Sequence, residues 1–127
     1  MEAYDIVIID DDIKLTEILS TLLTLNGYSV KSINDSTLAL SYIKKYMPKV
    51  VILDLMMPEI DGLKILKSIK DSPELSNVRV LIYSGKAFDV DKRLAISYGA
   101  DLFLTKPTKA QDILNHIAEL IHSVDAH

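Results

Sequence analysis

The feature that most constrains the fold of this chain is a regular alternation between short apolar runs and segments of helical periodicity. Five runs rich in Val, Ile, Leu and aromatic residues are predicted to be strands, at residues 6–9, 28–33, 50–53, 80–83 and 102–104. Most of them are almost entirely apolar, which is typical of parallel strands covered on both faces. The alternation therefore predicts an α/β fold built on a parallel sheet.

Helical segments separate these runs. Apolar residues recur at helical spacing around residues 15–22, 65–69 and 113–121, with weaker patterns at 36–45 and 90–97. Gly27 and Gly99 follow two of these segments, where a left-handed residue commonly ends a helix. Right-handed crossovers convert five strands and five helices in this order into a doubly wound parallel sheet. Ligands of such sheets bind beyond the carboxyl ends of the strands.

Length, charge and composition exclude several classes of function. The chain has 127 residues, a formal net charge of -4, no Cys and no Trp, and this length fits one domain. Without cysteine there is no disulfide, thiolate metal site or thiol nucleophile. The acidic balance disfavours direct binding to nucleic acid, and no apolar run approaches the roughly 20 residues that cross a membrane. We therefore expect a cytoplasmic domain that binds neither nucleic acid nor membrane.

Charged and hydroxyl side chains follow four of the five predicted strands. Asp10 and Asp11 follow the first strand, Asp54 the third, Ser84 the fourth and Lys106 the fifth. Taken singly, most of them have an ordinary structural explanation as a helix cap, a turn residue or a loop lysine. Asp54 is harder to explain in this way, because a carboxylate directly after a buried strand needs a partner for its charge.

Together, these side chains predict a site for a divalent cation and a phosphoryl group. Asp12 is not part of it, since we expect its side chain to cap the helix that follows. Carboxylates at the ends of neighbouring strands lie about 5 Å apart and repel one another unless a cation is bound. Oxygen ligands without Cys or a nearby His favour Mg²⁺ or Mn²⁺ over Zn²⁺. A lysine and a hydroxyl on the other side suit phosphoryl oxygens. The carboxylate between them can then form an acyl phosphate.

At these residues the chain resembles the receiver domains of two-component response regulators, including the free-standing chemotaxis receiver. Four motifs carry the resemblance, namely Ile-Ile-Asp-Asp-Asp ending at Asp12, Val-Val-Ile-Leu-Asp-Leu-Met-Met-Pro ending at Pro58 with Asp61-Gly62 after it, Leu-Ile-Tyr-Ser-Gly ending at Gly85, and Phe-Leu-Thr-Lys-Pro ending at Pro107. The likeness covers nearly the whole chain. It implies the flavodoxin-like receiver fold, with five helices and strand order 2-1-3-4-5.

The resemblance also implies which residues accept phosphate and bind metal. Asp54 would be the phosphoryl acceptor. Asp11 would bind Mg²⁺ directly and Asp10 partly through water. Asp54 and the backbone carbonyl of Met56 would complete the protein ligands, and Mn²⁺ would be able to replace Mg²⁺.

The remaining roles implied by the resemblance concern the response to phosphorylation. Lys106 would contact the phosphoryl oxygens and pair with Asp54 before modification, and the peptide bond to Pro107 would be cis. Ser84 would turn toward the new phosphoryl group, and the ring of Phe103 would follow it inward. The surface formed by the fourth helix, the fifth strand and the fifth helix would then report the change.

As a whole, the resemblance implies a receiver that takes its phosphoryl group from a histidine kinase or a histidine phosphotransfer protein and signals to an output partner or domain. It would catalyse only its own phosphorylation and dephosphorylation, so it is not a conventional enzyme. We expect a single receiver domain over residues 1–127, with no output domain. Met56 and Lys86 are candidate rate-tuning positions. Since neither side chain suits the positioning of water, we expect slow autodephosphorylation.

Two alternatives stay open. A degenerate receiver would bind its partner without phosphorylation, although all the expected site residues are present. An aspartate-nucleophile phosphatase of the haloacid-dehalogenase kind would need a second acid two positions after the nucleophile, where this chain has Met56.

Overall fold

The computed structural model describes residues 3–58, 60–85 and 88–125. The elements in chain order are β1 (Ile6–Ile9), α1 (Ile13–Leu25), β2 (Val30–Ile33), α2 (Ala39–Tyr46), β3 (Val50–Leu53), α3 (Gly62–Asp71), β4 (Arg79–Ser84), α4 (Asp89–Ser97), β5 (Leu102–Thr105) and α5 (Ala110–Asp125). Short 3₁₀ turns at Ser36–Leu38 and Pro73–Leu75 precede α2 and β4. Over the described ranges, no helix combines the length and the apolar character that a membrane crossing requires.

The five strands form one parallel sheet in the order β2-β1-β3-β4-β5, which confirms the predicted doubly wound fold. The strand order reverses between β1 and β3, since β2 lies on one side of β1 and β3 on the other. Ile9 lies opposite Leu53, and Leu53 lies opposite Ile82. The residues that follow these strands therefore emerge side by side, at the point where ligands bind in such sheets.

Alternate residues of the buried strands pack on opposite faces of the sheet. Val7 and Ile9 belong to the cluster that also contains residues of α2, α3 and α4, whereas Ile6 and Ile8 belong to the cluster of α1 and α5. All four side chains are fully buried. Two apolar layers thus fix the sheet from both sides, and they hold its carboxyl edge as a rigid platform.

The second strand is shorter than predicted. It begins at Val30 and not at residue 28. The backbone N–H of Tyr28 donates to the carbonyl of Leu23 and so belongs to the end of α1. Ser29 exchanges hydrogen bonds with Asp5, since each backbone N–H donates to the other side chain. These contacts use the groups that would otherwise extend the strand pairing.

Two helices begin with an aspartate cap. Asp12 accepts a hydrogen bond from the N–H of Leu15 at the start of α1, as predicted. Asp61 caps α3 in the same way. By contrast, Phe88 precedes α4 and its side chain makes no capping hydrogen bond. The N-terminal end of α4 therefore lacks a local restraint that α1 and α3 possess.

Left-handed residues end three helices. Gly27 follows α1 with a φ of 94° and Gly99 follows α4 with a φ of 101°, which confirms both predictions. Met47 ends α2 with a φ of 47°.

A joint at the amino end of the sheet ties the end of α4 to its neighbours. The carboxylate of Asp101 accepts hydrogen bonds from the Nζ of Lys70 in α3, at 2.9 Å, and from the N–H of Val80 in β4, at 2.7 Å. The methylene groups of Lys70 lie against Gly99. We name this contact of Lys70, Asp101 and Val80 the amino-end joint. It fixes the C-terminal end of α4 to α3 and β4.

Candidate functional site

Three carboxylates meet beyond the carboxyl ends of β1 and β3. One oxygen atom from each of Asp10, Asp11 and Asp54 lies within 4.8 Å of the other two. Asp10 and Asp54 are only 3% and 6% exposed, whereas Asp11 is exposed and lines an open cavity of about 420 Å³. An all-oxygen set of two buried carboxylates and one exposed carboxylate fits Mg²⁺, which retains several of its waters when it binds to proteins.

The ammonium group of Lys106 lies beside the two buried carboxylates. Its Nζ is 2.7 Å from Oδ2 of Asp10 and 3.4 Å from Oδ2 of Asp54. Lys106 follows β5, so its side chain crosses back over the ends of β4 and β3 to reach Asp10. The contact with Asp54 that the resemblance implies is present, but Asp10 is the nearer partner.

Burial and charge act differently on the two members of this pair. Burial raises the pKa of Asp10 above 3.8, although hydrogen bonds from Lys106 and from the N–H of Asp12 lower it in part. Burial lowers the pKa of Lys106, but the hydrogen bond to Asp10 and the charges of Asp10 and Asp54 outweigh burial and raise that pKa above 10.5. Desolvation is the largest single cause at both groups, but at Lys106 the hydrogen bonds to two carboxylates and their charges together exceed it.

The loops after β1 and β3 hold the buried carboxylates in matching ways. Oδ1 of Asp10 accepts a hydrogen bond from the N–H of Asp12 at 3.0 Å, and Oδ1 of Asp54 accepts one from the N–H of Met56 at 3.2 Å. The other oxygen of each carboxylate faces Lys106. One oxygen of each group is thus fixed by the backbone while the second is directed into the site.

Gly62 allows the loop after β3 to close tightly against Asp54. A Cβ at this position would collide with the carbonyl oxygen of Asp54 and would lie 2.7 Å from Cα of Leu55. The N–H of Gly62 donates to the carbonyl of Leu55 at 3.2 Å. The Asp-Gly pair at Asp61 and Gly62 therefore starts α3 and also permits the close approach that positions Asp54.

The two residues with implied switching roles lie on adjacent strands. Ser84 ends β4 and is fully buried, and its carbonyl accepts a hydrogen bond from the N–H of Lys106 at 2.9 Å. Phe103 is half-buried in β5, with Nζ of Lys92 in α4 located 5.8 Å from the centre of its ring. The structure thus brings Ser84 to the carboxylate edge and places Phe103 between β5 and α4.

The structure describes one of the two candidate rate-tuning positions. Met56 is 56% exposed and lies directly after Leu55 in the loop that follows β3. Lys86 lies outside the described residues. The peptide bond between Lys106 and Pro107 is cis, as the resemblance implies.

Two contacts of the site were not predicted from the sequence. Asn34 follows β2, and its Nδ2 donates to the carbonyl of Asp10 at 2.9 Å and to Oγ1 of Thr16 at 3.0 Å. A polar residue directly after a strand was the available signal, and with Asn34 all five strands deliver a polar group to this edge.

The hydroxyl of Tyr83 accepts a hydrogen bond from the N–H of Thr108 at 3.1 Å. Tyr83 gives no sequence signal, because aromatic residues are common in strands.

Comparison with known proteins shows the family to which this chain belongs. The family model of the response regulator receiver domain matches residues 6–118. The chain is 37% identical over 116 residues to the transcriptional regulatory protein CpxR homolog of Haemophilus influenzae, and the match covers 91% of this chain and 49% of that protein. The chain spans about half the length of the curated relatives it matches.

Two solved structures extend the comparison. A CheY-like response regulator receiver domain protein from Methanospirillum hungatei superposes with a TM-score of 0.91 at 21% identity, covering 98% of each chain. A response regulator protein from Burkholderia pseudomallei, whose structure contains a phosphorylated aspartic acid, a calcium ion and citrate, superposes with a TM-score of 0.82 at 25% identity, covering 95% of this chain and 70% of that chain. Fold, family model and relatives agree, and this chain belongs to the receiver domains of two-component response regulators.

Proposed function

We propose that this receiver accepts a phosphoryl group on Asp54, from a histidine kinase or a histidine phosphotransfer protein, in a reaction that requires Mg²⁺ or Mn²⁺. One observation carries the proposal. The buried carboxylate of Asp54 has one oxygen facing the ammonium group of Lys106 at 3.4 Å, and it belongs to the cluster with Asp10 and Asp11. A nucleophilic oxygen between a cation site and an ammonium group is the arrangement that formation of an acyl phosphate needs.

The chemistry follows from the positions of these side chains. Oδ2 of Asp54 attacks the phosphorus atom, a new P–O bond forms, and the P–N bond to the donor imidazole breaks. The electron pair of the broken bond stays on the imidazole nitrogen. Lys106 contacts the transferred phosphoryl oxygens. Oxygens of Asp10, Asp11 and Asp54, with the backbone carbonyl of Met56, would hold the metal ion, whose charge offsets the repulsion between carboxylate and phosphoryl group.

The proposed response to phosphorylation involves Ser84 and Phe103. The new phosphoryl group adds negative charge and acceptor oxygens next to Ser84, which lies beside Lys106 through a backbone hydrogen bond. Phe103 and Lys92 connect β5 with α4, so a rearrangement at Ser84 changes the surface formed by α4, β5 and α5. We propose that this surface, in a single receiver domain, signals to an output partner or domain.

The Burkholderia pseudomallei structure supports the chemistry from outside this chain. That related protein carries a phosphorylated aspartic acid together with a divalent ion. The two alternatives have less support. A phosphatase of the haloacid-dehalogenase kind lacks its second acid, because position 56 is an exposed methionine. A degenerate receiver has no need of a complete cluster of Asp10, Asp11, Asp54 and Lys106.

Intact-mass measurement after incubation with acetyl phosphate and Mg²⁺ tests the proposal. The expected result is a gain of one phosphoryl group that hydroxylamine removes, and no gain in an Asp54→Asn variant or in EDTA. A properly folded parent that gains no mass with any donor would exclude the proposal in favour of the degenerate receiver. Steady release of phosphate from a small phosphomonoester would instead favour the phosphatase.

A further inference from the structure

We propose that Tyr83 is a positioning residue for Lys106, acting through its hydroxyl on the loop after Lys106 and through its ring beneath the lysine side chain. The inference rests on the proposed function, because it explains how the ammonium group reaches the acceptor. Tyr83 itself does not touch the reacting atoms.

The first supporting contact is the hydrogen bond to the loop. Tyr83 lies in β4 directly before Ser84 and is 5% exposed. Its Oη accepts the N–H of Thr108, two residues after Lys106, at 3.1 Å. The side chain of Thr108 donates to the carbonyl of Thr105 at 2.8 Å. The short segment that carries Lys106 is therefore closed on itself. It is attached to β4 by the phenol of Tyr83, in addition to the backbone hydrogen bond from Lys106 to Ser84.

The second contact is between the ring and the ammonium group. Nζ of Lys106 lies 5.7 Å from the centre of the Tyr83 ring, within the range in which an aromatic face attracts a cation. The side chain of Lys106 must pass over β4 to reach Asp10 and Asp54. Tyr83 belongs to β4, and its ring lies along that path. A lysine side chain has many rotamers, so a fixed loop behind it and an aromatic surface beneath it reduce the arrangements open to Nζ.

Packing alone does not require the hydroxyl of Tyr83. Its ring lies in the apolar cluster on the α1 and α5 face of the sheet, which a phenylalanine would fill equally well. A buried phenol needs a hydrogen-bond partner, and the partner here belongs to the loop of Lys106. The hydroxyl is thus the atom that separates a positioning role from a packing role.

The direct test is the Tyr83→Phe variant, which keeps the ring and removes the hydroxyl. At saturating Mg²⁺ we expect phosphorylation by acetyl phosphate to slow by about three- to tenfold, the rate equivalent of one net hydrogen bond. We expect the affinity for Mg²⁺ not to fall, because the carboxylates keep their backbone contacts. Tyr83→Leu also removes the ring and is expected to slow the reaction further, and equal rates for the two variants would overturn the role of the ring.

Tyr46→Phe provides the matched control, since Tyr46 is also buried, at 7% exposure, but contacts Tyr4 and Tyr42 away from the site. Its phosphorylation rate should equal that of the parent. An equal loss of rate in both Phe variants, or a loss that merely follows weaker Mg²⁺ binding, would overturn the inference. So would an unchanged rate in Tyr83→Phe.

Nuclear magnetic resonance of the unmodified protein separates this inference from the proposed function. In Tyr83→Phe the Thr108 amide should exchange faster with solvent, and the side-chain signals of Lys106 should shift and broaden, whereas Tyr46→Phe should change neither. If the parent accepts no phosphoryl group, the proposed function is wrong, and these signals still decide whether Tyr83 positions Lys106. Unchanged Lys106 signals would overturn the positioning role.

Discussion

The Nζ of Lys106 lies 2.7 Å from Oδ2 of Asp10, nearer than it lies to the proposed acceptor Asp54. In this arrangement the ammonium group offsets the charge of a carboxylate that is also a proposed metal ligand. Lys106 and a divalent cation would therefore compete for Asp10. Cation binding at Asp10 would release the lysine toward Asp54 and the incoming phosphoryl oxygens. One event would then both fill the metal site and place the ammonium group for phosphoryl transfer.

Lys106→Met tests this competition. Without the ammonium group, Mg²⁺ meets less repulsion, so we expect tighter Mg²⁺ binding together with slower phosphorylation. In EDTA the variant should lose about 1–3 kcal/mol of unfolding free energy, because buried carboxylates lose their charged partner. Mg²⁺ titration calorimetry and urea unfolding measure the two effects. The matched control is Lys109→Met, an exposed neighbour. Weaker Mg²⁺ binding in Lys106→Met would contradict the competition.

Asp10→Asn should stabilise the metal-free protein at neutral pH. Burial raises the pKa of Asp10, so the folded state holds this proton more tightly than the unfolded chain does. Stability is therefore lost as the pH rises from about 3.8 through the raised pKa. At pH 7 in EDTA we expect a gain of roughly 0.5–2 kcal/mol for the variant.

The advantage of Asp10→Asn should shrink as the pH falls toward 3.8 and disappear below it, because the parent carboxyl takes up its proton over this range. Excess Mg²⁺ should reverse it, since a ligand at 100 times its dissociation constant stabilises the parent by about 2.7 kcal/mol. Urea unfolding across this pH range, with and without Mg²⁺, measures both effects. A parent that is more stable than the variant at pH 7 in EDTA would show that the lysine contact outweighs burial.

Gly62→Ala should displace the backbone of the loop after β3, which carries Asp54. The added methyl group collides with the backbone of Asp54, and overpacking of this kind costs about 1–3 kcal/mol. Because the displaced atoms belong to the acceptor, phosphorylation should slow as well. In Gly85→Ala the new Cβ has no atom within 4 Å, so this control should stay within about 0.5 kcal/mol of the parent. Equal stabilities of the two variants would refute the close approach at Gly62.

Asp101→Ala should destabilise the fold without affecting the acceptor site. It removes the acceptor of the Val80 N–H, and an unsatisfied buried amide costs about 1–3 kcal/mol. Lys70→Met keeps that hydrogen bond and should lose only about 0–1 kcal/mol. Both variants should be phosphorylated at the parental rate, as judged by intact mass. A larger loss of stability in Lys70→Met than in Asp101→Ala would show that the ion pair of Lys70 contributes more than the hydrogen bond from Val80.

The lifetime of the acyl phosphate depends on whether a side chain near Asp54 can orient an attacking water. Met56 is exposed beside the acceptor and has no group that orients an attacking water, so we expect slow loss of phosphate from the parent. Met56→Asn introduces an amide that can orient water and should shorten the half-life several-fold. Decay of the hydroxylamine-labile mass measures it, with Met47→Asn as an exposed control. A parental half-life of seconds without a phosphatase would contradict this expectation.

The sheet and the members of the site were predictable because both depend on local patterns. The runs at β1 and β3 are continuous and apolar, and the residues directly after them are charged, so parallel pairing brings Asp10 and Asp54 together. The start of β2 was not predictable from its own apolar pattern. The N–H of Tyr28 completes the local turn that ends α1 at Gly27, and Ser29 bonds to Asp5, which lies 24 residues away in the chain.

Contacts between side chains that lie far apart in the chain could not be predicted from sequence patterns either. The resemblance implies a pair between Lys106 and Asp54, but the preference for Asp10 depends on how far a lysine reaches over two strands. The bond between Tyr83 and Thr108 joins residues whose separation in the chain is 25. No periodicity reports such a contact, since the strand pattern requires only an aromatic side chain at that position.

The amino-end joint makes α4 a lever. Its fulcrum is the contact of Lys70, Asp101 and Val80 near the C-terminal end of the helix, whereas Phe88 gives the opposite end no side-chain cap. The 9 residues of α4 form an arm of roughly 13 Å at 1.5 Å per residue. A tilt of about 10° around the joint would therefore carry the first turn through roughly 2 Å. A rearrangement near Ser84 would therefore move the end of α4 that follows β4, while the end held by the joint would barely move.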